Sequence, residues 1–193
     1  LRRRWRKSLT IDGLEARARA GDNDRSVTGH LDTIEANRAW ALATVGRLII
    51  TVWRIDVTLA RVNLVDTAIR GLVPRCGKAG YSSITVLEPG VSMRLPDDAR
   101  DASTQLQRRW DDHMRCSGYL VEGSGFLPAA VRTMTSGLAL FTRSKAKIRV
   151  FSEAGVLADW ISPSIGTAPR DVVRALFDIR GAGIDRTPVA RSM

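Results

Sequence analysis

Residues 121–132 read VEGSGFLPAAVR, and the Gly-Ser-Gly between a strand-like run and a helical one is the first place where phosphate chemistry could sit. A Walker phosphate loop needs a Lys for the phosphates and a Ser or Thr for magnesium besides its backbone donors. EGSGFLPAA supplies no such pair at that spacing. A dinucleotide fingerprint would use Gly123 and Gly125 but meets Pro128 where a third Gly allows close helix packing. Its ribose acid would be Glu153, which lies roughly thirty residues on where about 20 is usual. The glycines are therefore read as hinges that let the chain leave a sheet and enter a helix within two or three residues. Free amides at a helix start still draw anions, so Gly123, Ser124 and Gly125 stay candidates for weak anion binding.

Glu88 and Glu122 close two neighbouring strand candidates at the carboxyl edge of a parallel sheet, where open α/β sheets bind their ligands. With Gly123 to Gly125 they form the candidate ligand-binding set. Other groups have structural explanations. Asp97, Asp98 and Asp101 open a helix, where negative charge is favoured by the dipole and the unpaired amides. His113 stands beside Asp111 and Asp112 on an exposed-looking helical stretch without further ligands at metal spacing, and His30 is the only other histidine. Cys76 and Cys116 form no CxxC pair and are read as reduced core or loop thiols of a cytoplasmic protein, with a single bridge between them left open. No nucleophile, base and oxyanion donors gather in one segment, so no catalytic residue, metal or cofactor is assigned.

The elements that position these residues follow from apolar periodicity. RAWALATVGRLIITVW reads as two strands, about 39–45 and 47–54, joined tightly at Gly46. Leu59, Val62, Val65, Ile69 and Leu72 recur at helical spacing, and Pro74 with Gly77 is expected to close that helix. YSSITVL is a strand; Ala102, Leu106, Trp110 and Met114 mark a helical face; YLVEG is the next strand. Leu127, Val131, Met134, Leu138 and Phe141 mark another helix, AKIRVF a last strand, and SEAGVLADWI a helix capped by Ser152 and stopped by Pro163. Alternation after a first hairpin implies a single small α/β domain: a mixed, mostly parallel sheet of about five strands with an N-terminal antiparallel hairpin and about four helices. Its expected limits are 35–163, with a flexible basic tail at 1–34 and a partly helical appendage at 164–193.

The net charge of +10 is spread along the chain. Residues 1–30 hold eight Lys or Arg against four acids, 31–163 seventeen against thirteen, and 164–193 five against three. Such a balance allows weak, nonspecific contact with nucleic acid through the basic ends. RSKAKIR, residues 143–149, is read as a solvated turn, and the five Trp do not interleave with these charges as a stacking platform would. The apolar run Ala39–Trp53 is broken by Gly46 and Arg47 and is shorter than the roughly 20 residues of a membrane helix, so no span is expected. No apolar core of a signal peptide follows LRRRWRK.

The element order, the buried run GRLIITVW, the strand end VEGSGF before an amphipathic helix and the closing KIRVFSEAGVLADWI together resemble STAS and SpoIIAA-like domains over about residues 39–162. The resemblance implies helices packed on a small sheet and a non-catalytic, regulatory protein-interaction role with a protein partner. In the anti-sigma-factor antagonist branch a phosphorylated Ser follows a central strand. Here VLEPGVSMRLPDD offers Ser92 for that role, without the Asp-Ser setting of the antagonists. A small-molecule or anion-binding module at the carboxyl edge of the sheet is the alternative, and an enzyme of unknown type a further one.

Overall fold

A computed structural model describes residues 30–92, 95–121 and 144–184. Six strands form one sheet in chain order: β1 (Asp32–Ala36), β2 (Trp40–Val45), β3 (Leu48–Trp53), β4 (Tyr81–Leu87), β5 (Met114–Val121) and β6 (Lys147–Phe151). β1, β2 and β3 pair antiparallel, and β3 to β6 run parallel. Among the described residues helices α1 (Leu59–Cys76), α2 (Asp97–Trp110), α3 (Ala154–Ile165) and α4 (Pro169–Gly181) pack with the sheet in a single small α/β domain. A short 3-10 turn, Gly77–Ala79, follows α1.

The mostly apolar texture of β2 and β3, broken only by Thr44 and Thr51, fits their burial on both faces, as expected of central strands. Successive side chains alternate between two cores. Ile50, Val52 and Ile84 face α3 and α4, while Ile49, Trp53 and Tyr81 face α1 and α2. Gly46, with φ at 55°, turns the hairpin between β2 and β3 in the left-handed region that disfavours other residues. Gly118 has a different reason. A Cβ there would stand 2.3 Å from Leu157 Cδ1, so the bare backbone lets α3 settle on β5.

Several expectations are corrected. Order begins before residue 35, because β1 pairs with β2 from Asp32↔Thr44 onward. Its sequence, DTIEA, hides it, since an exposed edge strand with a bulge between Thr33 and Glu35 carries no alternating apolar face. Pro163 does not stop α3, which runs to Ile165 and closes at Gly166, φ 70°, whose amide donates to the Ser162 carbonyl. Pro163 removes one i→i−4 hydrogen bond and crowds the carbonyl one turn before it, a local cost that the burial of Leu157, Ile161 and Ile165 offsets. Pro74 is likewise inside α1, which continues to Cys76. The residue before α3 is Glu153, with no side-chain cap, not Ser152. Nor is α4 an appendage: Val172, Leu176 and Ile179 are buried in the core shared with β2, β3 and α3. The helix expected from Leu127 to Phe141 lies outside the described residues.

Candidate functional site

Asp66 ties α1 to α2. Its carboxylate accepts from Trp110 Nε1 at 2.7 Å and from Arg109 Nη1 at 2.6 Å, with Arg70 one turn along α1 at 3.0 Å. Held this way, the two helices roof a cavity of about 200 Å³ above β3, β4 and β5. Strand register sets its floor. Thr51 lies beside Thr85 and Thr85 beside Tyr119, and in the next row Ile49 lies beside Ser83 and Ser83 beside Ser117. Alternation therefore gathers hydroxyls on the one sheet face that the helices do not fill.

These hydroxyls are ordered. Ser83 donates to Ser117 Oγ at 2.8 Å. Burial pushes the Tyr119 phenol up, and a hydrogen bond from Ser117 acts in the opposite direction by favouring the phenolate. Tyr81, at the other end of the floor, is also raised, first by burial and then by the negative charges of Asp111 and Asp66. From the roof Gln107 is 7% exposed and lines the same space, and its carboxamide makes no hydrogen bond to a described residue. The described lining contains no ionisable acid or base stronger than a phenol. Such a site can hold an uncharged molecule by contact and a few hydrogen bonds.

Of the residues marked by the sequence, Ser92 lines this cavity, and its amide donates to the Ile55 carbonyl at 3.1 Å. Glu88 does follow β4 at the carboxyl edge, yet its carboxylate is engaged by Arg180 Nε at 3.2 Å and faces Arg54 Nε at 3.6 Å. Arg54 is itself buried and donates to carbonyls of two distant segments: Asn37 and Trp40 at the start of β2, and Ile179, Arg180 and Ala182 at the end of α4. Glu88 thus belongs to a clamp that fastens α4, and Ser92 to the cavity; the structure does not bring them together in one pocket. Glu122, Gly123, Ser124 and Gly125 lie outside the described residues.

His113 is exposed and tilts against Trp110 at 6.1 Å, while its neighbours are otherwise engaged. Asp111 accepts from Ser144 Oγ and the Lys145 amide, and Asp112 pairs with Lys145. Among the described residues no three His, Cys, Asp or Glu groups could hold a metal ion. The bridge left open between the cysteines is closed by geometry, for both are free and sit in the two different cores. Cys116 meets Ser82 Oγ at 3.3 Å and Ser164 Oγ at 3.1 Å, which fixes the end of α3 to the sheet.

Sequence reasoning passed over Ser83, Thr85, Ser117, Tyr119 and Gln107. A signal was there: hydroxyls at alternate positions in YSSITVL and CSGYL, on strands otherwise apolar on both faces. No helix among the described residues is long and apolar enough to cross a membrane. Comparison of the chain with family models, curated proteins and solved structures returns no match.

Proposed function

We propose that this domain is a non-catalytic binding module for a small, uncharged, largely apolar molecule held between the sheet and helices α1 and α2. The observation that carries the reading is a cavity of about 200 Å³ with a neutral described lining, in which apolar walls meet a few hydroxyls and one carboxamide. Apolar walls with a few fixed polar groups are the usual lining of a small-molecule site, and the volume here restricts the ligand to a small one. An anionic ligand finds no Lys, Arg or His in the described lining, and the carboxylate at the strand edge is held by arginines.

The test is to purify the full chain from its native cell, denature it, extract with organic solvent and identify bound small molecules by mass spectrometry. An uncharged compound in near-equimolar amount, which also raises the melting temperature of stripped protein by mass action, is the expected result. Ser103→Phe, which extends a ring into the space from α2, should abolish that rise. A chain that carries nothing, and whose melting temperature is unmoved by uncharged aromatic and aliphatic compounds, refutes the reading.

The regulatory protein-contact role implied by the STAS-like resemblance is the second reading, favoured by one feature of α4. Phe177 is 74% exposed, and Val173 one turn earlier is 37% exposed, on the side of the helix away from the core. Under this reading Phe177→Glu releases a protein partner without lowering the melting temperature.

A further inference from the structure

The polar groups that line the cavity specify what a ligand must offer. Ser83 Oγ lies 2.8 Å from Ser117 Oγ and 3.8 Å from Met114 Sδ, so the serines have partners on the floor, while Tyr119 follows Ser117 on the same face of β5. A neutral phenol carries one proton to give. Tyr119 lines the cavity, and that proton has no acceptor among the described residues.

Gln107 supplies an independent constraint from the roof. A buried carboxamide without protein partners leaves two donors and a carbonyl that only water or a ligand can meet. Yet its polar atoms are not sealed off, since the only fully enclosed side-chain atom without a partner among the described residues is Arg54 Nε. Gln107, at 7% exposure, lines the cavity, and its carboxamide makes no hydrogen bond to a described residue. Donor and acceptor sit there side by side.

Resting on the ligand-binding reading above, we infer that the ligand is a neutral ring compound, of about one fused bicycle, that presents a hydrogen-bond acceptor to Tyr119 and a donor–acceptor pair to Gln107. Lactams and ring carboxamides are the simplest members of that class. Size follows from volume: a dry cavity of about 150 Å³ takes benzene, and this one is about 200 Å³.

Three probes of nearly equal shape separate the claims: naphthalene, with no polar atom; quinoline, with an acceptor; and 2-quinolone, a lactam with both. Each is titrated into the isotopically labelled full chain and followed by amide chemical shifts. Affinity should rise in that order, by roughly threefold or more per added hydrogen bond. Tyr119→Phe should remove the advantage of quinoline over naphthalene, and Gln107→Leu the advantage of 2-quinolone over quinoline, with naphthalene binding retained in both. If all three bind equally, or if the variants leave the order intact, the polar assignment is overturned while the cavity reading stands. If none binds, the cavity reading itself falls. Amide spectra of the two variants without probe show that each has kept its fold.

Discussion

Replacing Arg54 with Met is the sharpest test of how this domain holds helix α4. The guanidinium, buried with its side chain 6% exposed, reaches five carbonyls from two distant segments, at 2.8 Å for Arg180, 3.2 Å for Ala182, 3.3 Å for Trp40 and 3.4 Å for Ile179, with Asn37 as the fifth. Three of the five close the end of α4. Methionine fills much of the stem's volume but satisfies none of them, and it leaves Glu88 with Arg180 alone. Hydrogen bonds to a charged group contribute about 1.5–3 kcal/mol each, and carbonyls that regain water recover part of that. Removing one side of a buried, hydrogen-bonded charge costs about 3–5 kcal/mol in comparable sites. We expect a loss within that range, which at a urea slope of about 2 kcal/mol per molar moves the midpoint down by about 2 M. Amide exchange should locate the damage, with protection lost in α4 before the central strands. Glu88→Gln should cost less, about 1 kcal/mol, because its contact with Arg54 is 3.6 Å long and Arg54 Nε makes no hydrogen bond across it. A midpoint shift of a few tenths molar for Arg54→Met, or unchanged exchange in α4, would refute the clamp.

Alkaline pH should unfold the domain through its tyrosines. The chain has only Tyr81 and Tyr119, and both are raised, chiefly by burial. Below the ordinary phenol value of about 10 both are neutral folded or unfolded, so their contribution to stability is fully present. Above it the unfolded chain releases protons that the folded chain holds, and stability falls as pH rises. Phenolate absorbance should stay low beyond pH 10 and then increase in one step with loss of near-ultraviolet circular dichroism; a gradual titration preceding unfolding speaks against it. At Gly118, Ala should be mildly destabilising, since Leu157 Cδ1 is a movable side-chain end, whereas Val should cost about 1–3 kcal/mol by overpacking under α3. Urea midpoints decide this, and a neutral Gly118→Val would mean that α3 does not sit so close to β5.

Much of the architecture was legible because it is written in periodicity. The buried hairpin of β2 and β3, the apolar stripe of α1 and the alternation from β3 to β6 each place apolar residues at intervals that only one kind of element satisfies. The edge strand β1 was not legible, since an exposed, bulged strand needs no apolar face. Helix α4 shows its stripe in the sequence, but whether such a stripe meets its own core or a partner is a question of docking, answered by Arg54 and by the burial of Val172 and Leu176. Pro163 illustrates the reverse, a local stop signal overridden because Gly166 closes the helix one turn further on.

The candidate site divides in the same way. Composition and spacing determined that no segment carries a Walker loop, a dinucleotide fingerprint or a metal-ligand run, because those chemistries require particular residues at short, fixed separations. What they could not determine is which distant neutral groups meet. Ser83 and Ser117 are 34 positions apart and touch only through the register of two parallel strands. Gln107 joins them because Asp66 fixes the distance of α2 from the sheet. Glu88, which the strand edge marked for a ligand, is instead held by two arginines from β3's end and α4. Short-range order fixes the kind of element and its buried face, whereas a site made of neutral groups exists only where packing leaves a gap between them.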